Sequence, residues 1–246
     1  SRRVQADEFF FNKLISMCAA CQAGRTCLQL LGDMERARIC PDLRACNAAI
    51  AGLSKESWEK ALQVLEGMRS RGTRPDVVTF NTTISACASG KKWAEALQLL
   101  EEGKKLPSGP DQMTYGAAIS ACEDHWELAL HLLNDMSASK LQLNEVTSAS
   151  TIRACSNGDN PESAIELLRA LQQKAVRQNV VTYTSAMAAC HRDQFLWPWS
   201  LWLLSKMKDD AVEMDIGLFN AAMGVCREAH GFGHLRKRNI GQVEQL

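Results

Sequence analysis

A chain of 246 residues is long enough for one large domain or two small ones, and with 46% hydrophobic and 23% charged side chains it can build a packed core. Its 28 basic residues are balanced by 28 acidic ones, which excludes attachment to nucleic acid or membrane by bulk charge and confines anion binding to local sites. Ten cysteines without a visible signal peptide, and no window approaching ~18 apolar residues, argue against a secreted disulfide scaffold and against a membrane span.

Seven Phe, two Tyr and six Pro, against frequent Ala, Leu, Glu, Lys and Gln, point to helix throughout. Residues 1–7 lack an initiating Met and read as a cut end, so targeting information is expected to be missing from this stretch. A repeat then begins. The first unit, 8–42, runs through Ile15-Ser-Met-Cys18 and Cys27-Leu-Gln-Leu-Leu31 and closes in Cys40-Pro-Asp42. The second, 43–76, has Ile50-Ala-Gly-Leu53, Ala61-Leu-Gln-Val-Leu65 and Arg74-Pro-Asp76. The third, 77–111, has Ile84-Ser-Ala-Cys87, Ala96-Leu-Gln-Leu-Leu100 and Gly109-Pro-Asp111. In 112–144 the same places hold Ile119-Ser-Ala-Cys122, Ala129-Leu-His-Leu-Leu133 and Leu143-Asn144, and in 145–179 Ile152-Arg-Ala-Cys155, Ala164-Ile-Glu-Leu-Leu168 and Gln178-Asn179. The sixth unit, 180–215, carries Met187-Ala-Ala-Cys190, Ser200-Leu-Trp-Leu-Leu204 and Met214-Asp215. A partial seventh, 216–226, ends at Cys226, and 227–246 loses the pattern.

The starts are separated by 35, 34, 35, 33, 35 and 36 residues. Each unit reads as two helices, with proline stopping one and Asp or Asn capping the next. Cysteines at one fixed place in the period read as small buried packing residues, since disulfide or metal sites have no reason to keep such a step. A hairpin this small cannot bury its own apolar face, so neighbours must stack. The expected fold is all-α, an α-α superhelix forming one right-handed solenoid with no second domain.

Chemistry-bearing motifs are few. Cys18-x-x-Cys21 is half a zinc or redox site with no second pair at finger spacing, and the histidines fall on different units, so no catalytic residue, metal site or cofactor is expected. Trp197, Trp199 and Trp202 are expected to fill the extra space of the 36-residue unit.

The segment Val77-Val-Thr-Phe-Asn-Thr-Thr-Ile84, framed by Arg74-Pro-Asp76 and Gly109-Pro-Asp111, resembles the pentatricopeptide repeat with its V-V-T-Y-N-T-L-I pattern and P-D closure, and Val180-Val-Thr-Tyr-Thr184 matches as closely. The resemblance extends over 8–226, keeps a period of about 35 throughout, and so looks like the plain class of the family. It implies modular binding of single-stranded RNA, one repeat to one base. In the family the fifth residue of the first helix and the last residue of the repeat read the base edge, while the second residue packs against base faces.

Carried over, the reading pairs are Asn12 with Asp42, Asn47 with Asp76, Asn81 with Asp111, Gly116 with Asn144, Ala149 with Asn179, and Thr184 with Asp215. An amide offers a donor and an acceptor to a pyrimidine edge, and a neighbouring Asp can orient it. The resemblance assigns uracil to the first three pairs and guanine to the sixth, leaves the fourth and fifth open, and implies a target resembling 5′-UUUNNG-3′. Asn in a helix is less favourable than Ala by roughly 0.5 kcal/mol, so its recurrence at the fifth place, with Asn220 in the partial unit, points to a role beyond folding. Each Asp could instead only cap a helix.

The base-packing residues are Phe9, Val78, Met113, Val146 and Val181, with Arg44 and Gly217 departing from the pattern; packing between hairpins is the alternative role. Lys55 and Arg192 are weak phosphate candidates, opposed by Glu123-Asp124 in the fourth unit. The resemblance further implies a mitochondrial or plastid setting, a monomer, no membrane partner, and support of RNA processing, stability or translation without catalysis. The rival is an α-solenoid scaffold for protein partners, favoured by the zero net charge, the apolar fifth residues Gly116 and Ala149, and the cluster of Trp197, Trp199 and Trp202. A third reading makes the array the RNA-recognition arm of a larger enzyme whose catalytic domain, like further repeats, would lie outside these residues.

Overall fold

The computed structural model describes residues 2–53, 57–158, 160–173, 178–192, 197–210, 212, 220 and 224. Among them the regular elements are α-helices in hairpins. The opening helices are α1 (Arg2–Ala20), α3 (Leu43–Ala51), α5 (Val77–Ser89), α7 (Gln112–Ala121), α9 (Glu145–Asn157) and α11 (Val180–Arg192). They alternate with the closing helices α2 (Gly24–Arg36), α4 (Trp58–Ser70), α6 (Trp93–Gly103), α8 (Trp126–Ala138), α10 (Pro161–Gln173) and α12 (Trp197–Asp209). Residues 2–7, read from sequence as a separate flank, continue α1 as helix.

The turns explain these boundaries. Closing helices α2, α4 and α8 end with Arg38, Gly72 and Lys140 in the left-handed region. That geometry lets the next N–H reach back to an orphan carbonyl: Ile39 N bonds Met34 O at 2.9 Å, Thr73 N bonds Met68 O at 3.0 Å, and Leu141 N bonds Met136 O at 3.2 Å. The following opening helices are then capped from outside. Asp42 accepts from Ala45 N at 2.7 Å, Asp76 from Thr79 N, Asp111 from Thr114 N and Asn144 from Thr147 N each at 2.8 Å, and Asn179 from Thr182 N at 3.0 Å. Such a cap contributes about 1 kcal/mol.

By its internal contacts the chain is described in two compact units, Ser1–Ala121 and Cys122–Leu246. In the first unit α1, α3, α5 and α7 pack on one another in succession, and α2, α4 and α6 each pack against the opening helices on both sides. Its core is built from Ile15, Cys27, Met34, Cys46, Ala49, Ile50, Ala61 and Met68, and continues through Ile84, Cys87, Ala96 and Leu100. Truncating one of the larger side chains, as in Leu100→Ala, costs about 2–5 kcal/mol. Gly90 accommodates a neighbour: a Cβ there would sit 2.6 Å from Trp58 Cδ1, and the same indole has Lys92 Nζ 4.8 Å above its ring. Surface pairs such as Arg71 Nη1 with Glu35 Oε1, at 2.6 Å, cross between closing helices and add little.

In the second unit α9 and α11 pack directly, α8 lies on α9, α10 packs on both α9 and α11, and α12 lies on α11. The core gathers Ile152, Cys155, Ala164, Leu168, Tyr183, Met187, Cys190 and Leu203. The buried Tyr183 hydroxyl donates to Asp210 and accepts from Gln172 Nε2 at 3.0 Å. Trp199 and Trp202 meet edge to face, with centroids 5.6 Å apart, and pack against this core.

Cys87, Cys122, Cys155 and Cys190 are buried, as their period suggested, while Cys226 lies outside the described residues. Burial pushes the Cys87, Cys122 and Cys155 thiols up to about 11. Cys21 and Cys40 are exposed. Brief alkylation of the folded protein at pH 8, read by peptide mass spectrometry, is therefore expected to modify Cys21 and Cys40 and to spare Cys87, Cys122 and Cys155. Modification of the latter three at the same rate would contradict the packing described.

Candidate functional site

The second and fifth residues of an opening helix are three apart, so their side chains neighbour each other on one helical face. All five apolar second residues are exposed: Phe9 at 74%, Met113 at 68%, Val146 at 61%, Val78 at 52% and Val181 at 46%. None of these side chains is buried between hairpins. Arg44 is exposed as well.

Beside them, the fifth residues of the first three repeats bond the aspartate that closes the same repeat and caps the next helix. Asn12 Nδ2 donates to Asp42 Oδ2 at 3.1 Å and Asn47 Nδ2 donates to Asp76 Oδ1 at 3.3 Å. Asn81 Nδ2 donates to both oxygens of Asp111, at 3.1 and 3.2 Å. Each aspartate also caps the following helix, so capping and amide orientation, set against each other in the sequence reading, are performed together by one carboxylate. Burial would push the Asp76 carboxyl up, but the Thr79 N–H, the Thr79 hydroxyl and the Asn47 amide outweigh it and hold the group below the usual carboxylate range. Asp111 is lowered in the same way, against burial, by Thr114 and Asn81.

Sequence reasoning missed the two threonines. Thr79 Oγ1 lies 2.8 Å from both Asn47 Oδ1 and Asp76 Oδ1, and Thr114 Oγ1 stands in the same way between Asn81 Oδ1 and Asp111 Oδ1, so each hydroxyl shares its single proton between amide and carboxylate. Their signal was Thr at the third place of the repeat, Val77-Val-Thr79 and Gln112-Met-Thr114, which sequence reasoning assigned no role.

The remaining pairs differ. Gly116 is buried in α7 of the first unit, and Asn144 caps α9 in the second, bonding Thr147 through N and Oγ1. Ala149 is buried and has no polar group, and Asn179 Oδ1 accepts from Thr182 N and Oγ1, both at 3.0 Å. Thr184 Oγ1 donates to Val180 O at 2.8 Å, within its own helix. Its expected partner Asp215, the phosphate candidate Lys55 and the side chain of Arg192 lie outside the described residues. Among the described residues there is no group of three side chains that could hold a metal ion, and no helix long and apolar enough to cross a membrane.

Sequence families match over much of this framework: a PPR repeat family over 41–89, the PPR repeat over 78–106 and the pentatricopeptide repeat domain over 131–192. The chain belongs to the pentatricopeptide repeat family. Solved structures share its fold. PPR10 from maize superimposes with a TM-score of 0.62 at 22% identity, over 90% of this chain and 33% of its own. PPR10 in complex with an 18-nt psaJ RNA element gives 0.63 at 19% identity, over 91% of this chain and 37% of its own. The PPR domain of Arabidopsis thaliana protein-only RNase P 1, in complex with tRNA, gives 0.50 at 16% identity, over 66% and 93%. This pentatricopeptide repeat chain thus spans about a third of the PPR10 chain. No curated protein matches it by sequence.

A carboxyl lowered by folding contributes stability that is complete above its unfolded value, near 4, and is lost as pH falls through the lower folded value. Asp76 and Asp111 place that loss in the acid range. The Asp76→Asn/Asp111→Asn variant retains capping side chains and is expected to show a shallower fall of denaturant stability below about pH 4 than the wild type. Identical acid slopes would contradict the assignment.

Proposed function

We propose that this pentatricopeptide repeat array binds single-stranded RNA, one hairpin to one base, with a target resembling 5′-UUUNNG-3′. The observation that carries the reading is the series of Asn–Asp pairs, each set beside an exposed second residue. An Asn amide has two protons and two acceptor lone pairs. In the second and third hairpins one proton goes to the carboxylate and one lone pair faces the threonine hydroxyl, whose single proton it shares with that carboxylate. One donor and one acceptor remain, which is the complement of the uracil edge with its N3–H and adjacent carbonyl. The exposed Phe9, Val78, Met113, Val146 and Val181 offer apolar surface for base faces.

The fourth and fifth hairpins, with Gly116 and Ala149, supply no fifth-position polar group and are assigned no base; the sixth is assigned guanine through Thr184 and Asp215 by family resemblance. Binding acts by occupancy, shielding the RNA from nucleases or from its own secondary structure. By the same resemblance the setting is a mitochondrion or plastid, and the protein acts without catalysis, alone or as the recognition arm of a larger chain.

Selection against a randomised single-stranded RNA pool at two salt concentrations tests the reading. Enrichment of UUU with G three bases downstream is expected, and Asn81→Ser is expected to weaken the preference at the third U on the order of tenfold, the worth of one two-bond base contact. Failure to enrich any motif, or binding that vanishes uniformly with salt, would move a protein-binding scaffold to first place.

A further inference from the structure

The three asparagine amides are not held alike. We propose that the third residue of the following hairpin is a positioning residue for base choice: the hydroxyls of Thr79 and Thr114 fix the amides of Asn47 and Asn81 from a second side, whereas Ala45 leaves Asn12 fixed from one side only. This rests on the base-reading function proposed above.

Thr79, Thr114 and Ala45 occupy equivalent places, three residues after Asp76, Asp111 and Asp42, and all three are buried. Thr79 Oγ1 meets Asn47 Oδ1 at 2.8 Å and Thr114 Oγ1 meets Asn81 Oδ1, each hydroxyl sharing its one proton between that amide oxygen and the capping carboxylate, so that an amide nitrogen turned toward the hydroxyl would lose this bond. Ala45 has no hydroxyl, and Asn12 Oδ1 is buried without a hydrogen-bond partner. Orientation decides what an amide reads. Turning it over exchanges donor and acceptor, and that exchange distinguishes the uracil edge, with N3–H and a carbonyl, from the cytosine edge, with bare N3 and an amino group. Turning Asn47 or Asn81 over would set the amide oxygen against the carboxylate and also break the hydroxyl bond. Turning Asn12 over incurs only the first of these costs. The first hairpin therefore discriminates uracil from cytosine less than the second and third.

The threonine also caps its own helix, but this second role is separable. Thr147 and Thr182 make the same capping bonds to Asn144 and Asn179, while the preceding fifth residues, Gly116 and Ala149, have no amide to hold.

The test uses 5′-UUUNNG-3′ oligonucleotides with cytosine at one of the first three positions, and reads the ratio of Kd values for C and U at each. In the wild type the ratio is expected to be smaller at the first position than at the second and third. Thr114→Val should lower it at the third position about fivefold, the worth of one neutral hydrogen bond, without changing the second. Thr114→Ser should restore it, Thr147→Val should leave all three ratios unchanged, and Ala45→Ser should raise the ratio at the first. Because each ratio is taken within one protein, a partly unfolded fraction cancels. Wild-type discrimination that Thr114→Val leaves intact, or lowers equally at every position, overturns this proposal alone. A wild type that does not discriminate at all overturns the base-reading function and this proposal with it.

Discussion

The structure depends on one carboxylate used twice. Asp42, Asp76 and Asp111 each terminate a repeat, accept the N–H that opens the next helix, and hold the amide of the same repeat's fifth residue. The cap fixes where the carboxylate stands, and the carboxylate fixes how the amide is presented. Folding and presentation of the reading group are therefore one interaction. The asparagine, unfavourable in a helix by propensity, is instead bonded to the closing residue of its own repeat, which stands at the N-terminus of the next helix.

Around that bond, the opening helices are asymmetric in a consistent way. Their buried side carries the periodic cysteines and isoleucines, as in Ile84 with Cys87 and Ile152 with Cys155. The second residues, although apolar, are left in solvent. Five of the nine large hydrophobic side chains that are exposed among the described residues are these second residues, which marks a repeated surface feature rather than scattered exposure. A repeat fold makes this possible because each hairpin is stabilised by its neighbours through one face and leaves another free for display.

Much of this was legible in the sequence because the period is read directly from residue types. Proline followed by Asp, and small or sulfur-bearing residues at fixed intervals, mark turns and core without an alignment, and α3, α5, α7, α9 and α11 begin at the residues following those turns. The dual role of the aspartates was not legible, because sequence could frame it only as a choice between cap and contact. The threonine hydroxyls were missed for a similar reason: Thr79 and Asn47 lie 32 residues apart, and only the stacking of α3 on α5 brings them together.

The measurement closest to the central claim is the side-chain amide spectrum of Asn12, Asn47 and Asn81, followed by 1H–15N correlation while oligouridylate is added. The account predicts that these three NH2 pairs shift together and saturate with the binding isotherm, and that Asp76→Ala removes the response of Asn47 while leaving that of Asn81. Binding that saturates with all three amides unmoved would contradict it.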